Sequence, residues 1–146
     1  MICIGQGVVE WVAKRVPGDF GQAQGIGWQR DGRIIAGVIY EDFNGVNVFC
    51  HIAAEGALTR RFLWTIFDYP FNQLKVKRIT APIAASNSAS IRFVQHLGFR
   101  FEARLTDAHP SGDLLIYCMR QPQAQRWLNL RDSHANLHKA RLAMAA

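Results

Sequence analysis

The stretch from residue 51 to residue 99 places the tightest limit on what this chain can fold into. It reads as a strand, a turn and a helix, followed by a second strand, turn and helix. The first turn, residues 53–57, leads onto a helix N-terminus, whose unpaired N–H groups and partial positive charge suit a phosphate or another anion. In the second turn, Asn87 or Ser86 can cap the helix that follows, and Gly98 can end that helix. Two such turns at parallel strand ends predict a ligand cleft.

The composition predicts one folded domain. The chain has 146 residues, of which 49% are apolar and 11% aromatic, so it can bury a core and is not a disordered segment. Its longest apolar run, residues 34–40, is too short to cross a bilayer, and we expect no secretory signal, since no charged segment stands ahead of an apolar core at the start of the sequence. Cys3, Cys50 and Cys118 show no C-x-x-C spacing, which favours reduced thiols in a cytoplasmic protein.

The charge balance favours an anionic partner. Lysine and arginine total 17 against 11 acidic residues, a net charge of +6, which suits a nucleotide cofactor or a nucleic acid. We expect a domain over residues 1–121 and a basic C-terminal tail over residues 122–146. The tail is weakly amphipathic and reads either as a solvated segment or as a partner surface, with apolar or histidine side chains at Trp127, Leu130, His134 and Leu137.

The hydrophobic pattern predicts a mixed α/β domain built on one sheet. The expected elements are a helix at 7–16, strands at 24–29, 34–40 and 46–52, a helix at 58–69, a strand at 77–83, a helix at 88–97, and strands at 99–105 and 114–119. Asp31-Gly32 and Asn44-Gly45 are hairpin turns. Alternation in the third strand puts His51 on the face opposite Val48 and Cys50.

The run of residues 87–102, NSASIRFVQHLGFRFE, resembles the last block of the GNAT-superfamily N-acetyltransferases. That block has an Asn after a strand, a small residue three positions later, an aromatic-rich helix, and Gly-Phe before the next strand. Residues 71–74 and 77–79 are similar to the ribosomal-protein-acetylating branch, and short bacteriophage GNAT-like proteins look similar overall. The resemblance covers residues 7–120. It implies a single GNAT-like domain with a mixed, mostly antiparallel sheet, helices on both faces and a cleft where two central strands splay apart.

The resemblance also implies acetyl-CoA as the cofactor and transfer of its acetyl group to a primary amine. The family's pyrophosphate loop carries more glycine than residues 53–59 do here, but backbone N–H groups bind the phosphates, so side-chain changes need not abolish binding. The acceptor, a small molecule or a protein, stays open. The residues expected at the cofactor are Ile52, Ala53, Glu55, Gly56, Ala57, Leu58, Thr59, Arg60, Asn87, Ser90 and Arg92.

Acetylation of an amine requires a base, and His51 at the end of the central strand is the first candidate. A structural histidine is the alternative for that position. Glu41 and Asp42 could also act as the base, grip a cationic substrate, or form a solvated hairpin tip. Relatives have a tyrosine acid where this chain has Val94, so either Tyr117 protonates the thiolate or the thiolate leaves unassisted.

Three function classes follow from these features. The first is the acetyltransferase, the second a GNAT-fold module that binds CoA without catalysis, and the third a basic nucleic-acid-binding protein, for which no recognition motif is present. We expect no membrane partner and leave a homodimer open. The spacing of His134 and His138 lacks further ligands, so we predict no metal site.

Overall fold

The computed structural model describes residues 1–130, which form one seven-stranded sheet with helices on both faces. Tyr69–Gln73 forms a π-helical turn directly after the second helix, and residues 121–130 are helical. The other elements are β1 (Ile2–Ile4), α1 (Gln6–Ala13), β2 (Gln24–Arg30), β3 (Arg33–Glu41), β4 (Asn47–Ala54), α2 (Arg60–Asp68), β5 (Arg78–Ala84), α3 (Ser88–Leu97), β6 (Arg100–His109) and β7 (Gly112–Arg120).

The sheet has the order β1-β2-β3-β4-β5-β7-β6, and every neighbouring pair is antiparallel except β4 and β5. The predicted fold class, a mixed and mostly antiparallel sheet with helices on both faces, is confirmed. The sequence pattern missed β1, because three residues at a sheet edge are too few to show alternation. The expected alternation in β4 is present, since Val48 and Cys50 are buried in the core at 1% and 3% exposure and His51 faces the other side.

Local turn chemistry explains where these elements begin and end. Asp31 and Gly32 both have positive φ, 51° and 75°, as a type I′ hairpin turn requires. The Asn87 side chain accepts a hydrogen bond from the N–H of Ser90 and caps α3, and Gly98 at φ 111° ends that helix. The second anion-friendly turn of the sequence therefore has the predicted geometry.

Pro70 ends the α-helix expected at 58–69, as a proline at this position is expected to do. Because proline has no N–H, the α-helical ladder stops at Asp68 and continues as the π-helical turn, in which the N–H of Leu74 donates to the carbonyl of Tyr69. The buried Asp68 carboxylate accepts hydrogen bonds of 2.9 Å from the side-chain amides of Asn72 and Gln73. These bonds satisfy a carboxylate that would otherwise be costly to bury.

One face of the sheet carries the larger core, formed with α2, α3 and the helix at 121–130. Ala124 and Leu128 are buried in it, and the Trp127 Nε1–H donates to the carbonyl of Leu97 at 2.7 Å. The described part of the predicted tail therefore packs on the domain; the remainder, with His134, Leu137 and His138, lies outside the described residues. Within residues 1–130, no helix is long and apolar enough to span a membrane.

Helix α1 covers the other face over β1–β4, and glycines let it approach closely. A Cβ at Gly37 would lie 2.8 Å from Val12 Cγ2 and 3.0 Å from Val8 Cγ1. A Cβ at Gly25 would lie 2.9 Å from the Val8 Cβ, and Gly27 is similarly crowded. These glycines allow α1 to pack directly on the sheet, because a larger residue would separate the helix from the strands.

Because α1 packs so closely on these glycines, we expect Gly37→Ala to lower the free energy of unfolding by about 1–3 kcal/mol, the usual cost of overpacking. Gly7→Ala is the matched control, since a Cβ there meets no atom within 4 Å. Urea denaturation followed by circular dichroism measures both variants. Equal stability of Gly37→Ala and the parent protein would contradict the close packing of α1.

Candidate functional site

The two parallel strands at the centre of the sheet separate partway along their length. β4 and β5 are paired only at Asn47–Arg78, Val48–Ile79 and Phe49–Thr80. Beyond that point β4 continues alongside β3, and β5 continues alongside β7. The Thr80 hydroxyl donates to the Asn47 side chain at 2.6 Å and holds the paired end together. Pro82 lies two residues beyond Thr80 and has no N–H to offer to a neighbouring strand.

A cavity of about 220 Å³ fills the gap between the strands. Side chains from both faces of the sheet line it, among them Cys50 and Val94 from the larger core and His51 and Leu114 from the other face. A second recess, about 390 Å³, adjoins it at the start of α3. The cleft therefore passes through the sheet from one face to the other.

The structure brings part of the predicted cofactor set together at this second recess. Its lining includes Ile52, Ala53, Glu55, Asn87 and Ser90. The remaining predicted residues do not line either space: Gly56, Ala57, Leu58, Thr59 and Arg60 continue from β4 into α2, and Arg92 is exposed on α3.

Within the loop after β4, some polar groups are already used. The N–H of Glu55 donates to the carbonyl of Ile35 at 2.8 Å, and the Thr59 hydroxyl accepts from the N–H of Phe62 as the cap of α2. The Glu55 carboxylate accepts hydrogen bonds of 2.9 and 2.7 Å from Arg15, whose guanidinium also lies 3.6 Å above the Trp11 ring. Arg15 neutralises the Glu55 carboxylate, so Glu55 adds no unpaired negative charge to the loop.

Gly56 leaves the backbone of this loop open. Its φ is outside the left-handed region, and a Cβ built there would meet no atom within 4 Å. The fold itself therefore does not require glycine at this position. Glycine leaves the backbone of the loop accessible. A pyrophosphate bound through N–H groups needs this access.

The first two candidate bases contact each other. His51 Nε2 lies 2.8 Å from Glu41 Oε1, and their side chains are 10% and 20% exposed. Ile39 is the register partner of His51, so Glu41 is its diagonal neighbour on the same face of β3. Phe20 packs on the imidazole with ring centroids 4.6 Å apart. His51 is thus packed like a structural residue, and it also lines the cleft. Asp42, the third candidate base, is exposed at the hairpin.

Tyr117 is not brought to the cleft. Its side chain is 4% exposed within the larger core, its hydroxyl accepts from the Gln95 side chain at 3.2 Å, and it is not among the cavity-lining residues. Its position follows from register, because Tyr117 is paired with Ala81, whose side chain faces the core. Val94, which stands where the resemblance led us to expect a tyrosine, does line the cavity.

Sequence reasoning missed several residues that line the cleft. His109 reaches it from the β6–β7 hairpin, and Val16 and Pro17 reach it from the segment after α1. The Ser111 N–H donates to His109 Nδ1 at 3.1 Å, which orients the ring. The strands expected at 99–105 and 114–119 imply a turn between them, but only the sheet order shows that this turn lies near β5.

Comparisons with known proteins agree with this architecture. A family model described as an acetyltransferase (GNAT) domain matches residues 29–113. No curated protein sequence matches the chain. Among solved structures, a chimera of the Vibrio cholerae spermidine N-acetyltransferase SpeG and hSSAT has a TM-score of 0.60 at 16% identity, covering 70% of each chain.

Two further structures have the same fold. A GNAT-family acetyltransferase from Bacillus anthracis has a TM-score of 0.57 at 14% identity, covering 68% of this chain and 66% of its own. YncA, a putative acetyltransferase from Salmonella typhimurium solved with its cofactor acetyl-CoA, has a TM-score of 0.55 at 19% identity, covering 67% of this chain and 64% of its own. With the splayed central strands and the match over residues 29–113, the chain belongs to the GNAT acetyltransferase family, whose members use acetyl-CoA.

Proposed function

We propose that this protein transfers the acetyl group of acetyl-CoA to a primary amine by direct attack within a ternary complex. The observation that carries the proposal is the His51–Glu41 pair at a cleft that passes through the sheet. The imidazole lines the cavity and is held by a carboxylate, which is the arrangement that a base for an incoming amine requires. That pair therefore favours an enzyme over the inactive module.

Two features support a fit to acetyl-CoA, which when bound supplies an activated thioester. The open backbone at Gly56 and the recess at the start of α3 would hold its phosphates through N–H groups, with Asn87 and Ser90 lining the recess. β4 no longer pairs with β5 after Phe49. In the antiparallel ladder the backbone of Ala53 faces β3 and that of Ile52 faces the gap, so the Ile52 N–H is available to hydrogen-bond the thioester carbonyl.

His51 is proposed as the general base. A carboxylate only accepts hydrogen bonds, so His51 Nε2 donates to Glu41 and the lone pair lies on Nδ1. That nitrogen takes the proton of the attacking amine, and Glu41 then stabilises the imidazolium that forms. In this scheme Glu41 hydrogen-bonds to the histidine and not to the amine, so it acts as a positioning residue.

The leaving group is proposed to depart as the thiolate, since an alkyl thiol of pKa about 8.5 is a tolerable leaving group. Tyr117 has no part in this scheme because its hydroxyl bonds to Gln95 inside the core. Cys50 lines the cavity, but burial raises the pKa of its thiol well above the ordinary value. A thiol held neutral is a poor nucleophile, which supports direct transfer over an acyl-cysteine intermediate.

The proposal also concerns the chemical class of the acceptor. Several structural neighbours are spermidine N-acetyltransferases, which supports a primary amine in general; a small molecule and a protein amine are both consistent with the cleft. The described cysteines are free thiols, which supports action in the cytoplasm. The ribosomal-protein branch, a bacteriophage origin and a homodimer stay predictions.

Gly56→Val tests the cofactor site. A branched side chain should block the approach to the loop backbone and weaken acetyl-CoA binding by about tenfold, ~1.4 kcal/mol, with little change in melting temperature. Gly7→Val is the control, since that position is equally open and lies on α1. Isothermal titration calorimetry measures both affinities. Unchanged affinity in Gly56→Val would place the phosphates elsewhere.

His51→Ala tests the base. It should lower turnover per folded molecule by roughly 10²–10⁴, while Glu41→Gln should cost about 10–10², and neither should change acetyl-CoA affinity. His96→Ala, at an exposed position on α3, should retain parental turnover. CoA release with a panel of primary amines measures the rates. If His51→Ala lowers only the melting temperature, His51 is structural and the base lies elsewhere.

Cys50→Ala separates direct transfer from a covalent route. Because the buried thiol is not proposed to react, the variant should keep turnover per folded molecule within about threefold, although it loses some stability from the cavity created. Mass spectrometry of the parent protein after incubation with acetyl-CoA should find no acetylated Cys50. Loss of turnover by two or more orders of magnitude would instead indicate an acyl-enzyme.

A further inference from the structure

The half of the sheet that α1 does not cover presents an open face. α1 packs on β1–β4, while α2, α3 and the helix at 121–130 pack into the core on the opposite face. Among residues 1–130, no helix therefore covers β5, β7 and β6 on the side that carries His51. The edge strand β6 is largely exposed on this half of the sheet.

Three arginines lie together on this open face. Arg78 is the register partner of Arg120, and Arg100 is the partner of Cys118, two residues along β7 from Arg120. Residues paired in this way, or two apart in a strand, point to the same side of the sheet. Arg100 and Arg120 are exposed.

One carboxylate partly balances these arginines. Arg78 donates two hydrogen bonds across β7 to Glu102, and they lower the pKa of that carboxyl below its usual range. Arg120 lies close enough to act on Glu102 and on the Cys118 thiol. Three guanidiniums against one carboxylate leave two positive charges, and like charges placed opposite one another in a sheet destabilise it unless an anion joins them.

The basic cluster connects to the cleft along the same face. Pro82, Ile116 and Leu114 share this side of β5 and β7, and Leu114 and Pro82 line the cavity. His51 lies four residues along β4 from Asn47, the partner of Arg78, so the cluster is about 15 Å from the imidazole at the strand rise and strand spacing of a sheet. An extended peptide spans that distance in about five residues.

We propose that the open face formed by β5, β7 and β6 is the docking surface for an acidic polypeptide acceptor, whose carboxylates bind Arg100 and Arg120 about five residues from the amine in the cleft. This inference rests on the proposed acetyl transfer and narrows its acceptor to a protein or peptide amine. An uncovered sheet face suits an extended chain, and the net charge of +6 assists the approach of an acidic one.

The test compares two fluorescein-labelled peptides with free N-terminal amines, one with glutamates beginning about five residues from the amine and one with glutamines there. Fluorescence anisotropy, without acetyl-CoA, should show about tenfold tighter binding of the acidic peptide at low salt. The double variant Arg100→Glu/Arg120→Glu should abolish that preference. Arg30→Glu/Arg33→Glu, the same charge change at the exposed hairpin between β2 and β3, should alter it by less than about threefold.

Equal affinity for the two peptides, or equal loss in the control variant, would overturn the docking surface. Tighter binding of a single-stranded oligodeoxythymidine of similar length would also overturn it and indicate a nucleic-acid surface. Acetylation of the peptides is measured separately with acetyl-CoA. Preferential binding without any acetylation would support the acidic docking surface and count against the transfer reaction, so the two proposals fail in distinguishable ways.

Discussion

The rest of the molecule depends on the point where β4 and β5 stop pairing. Backbone groups in a protein interior need partners, so a central pair of strands that separates must offer its free groups to something else. Here the separation begins after Phe49 and Thr80, with a threonine–asparagine hydrogen bond on one side and a proline on the other. The cleft, its two-faced lining and the position of His51 all follow from that interruption.

Much of the fold could be predicted from local signals, because those signals act over a few residues. Asn87 and Gly98 specify the ends of α3, and Asp31-Gly32 specifies a hairpin. The strand alternation also located His51 on the correct face of β4. In contrast, β1 was missed, because a three-residue strand shows no periodicity. Pro70 was expected to end or kink the helix at 58–69, but the π-helical turn that follows Asp68 was not predicted.

The site was less predictable because it is assembled from residues distant in the sequence. Glu41 and His51 were both candidates, but that they form a pair depends on the register of β3 and β4. Arg15 neutralises Glu55 across 40 positions of sequence, and His109 enters the cleft from a hairpin that lies two strands away. Tyr117 is the opposite case. It was a candidate acid because of its place in the sequence, but the sequence did not show that its side chain is buried in the core.

The short β4–β5 ladder also bears on how the chain reaches its native state. β2–β3, β3–β4 and β6–β7 join neighbouring strands through tight connections, so each can form early at a small entropic cost. The parallel pairing joins Asn47 to Arg78, 31 positions apart, and requires α2 and the π-helical turn to fold back first. Non-local contacts of this kind slow folding. We therefore expect the β4–β5 ladder, and with it the cleft, to form after the hairpins.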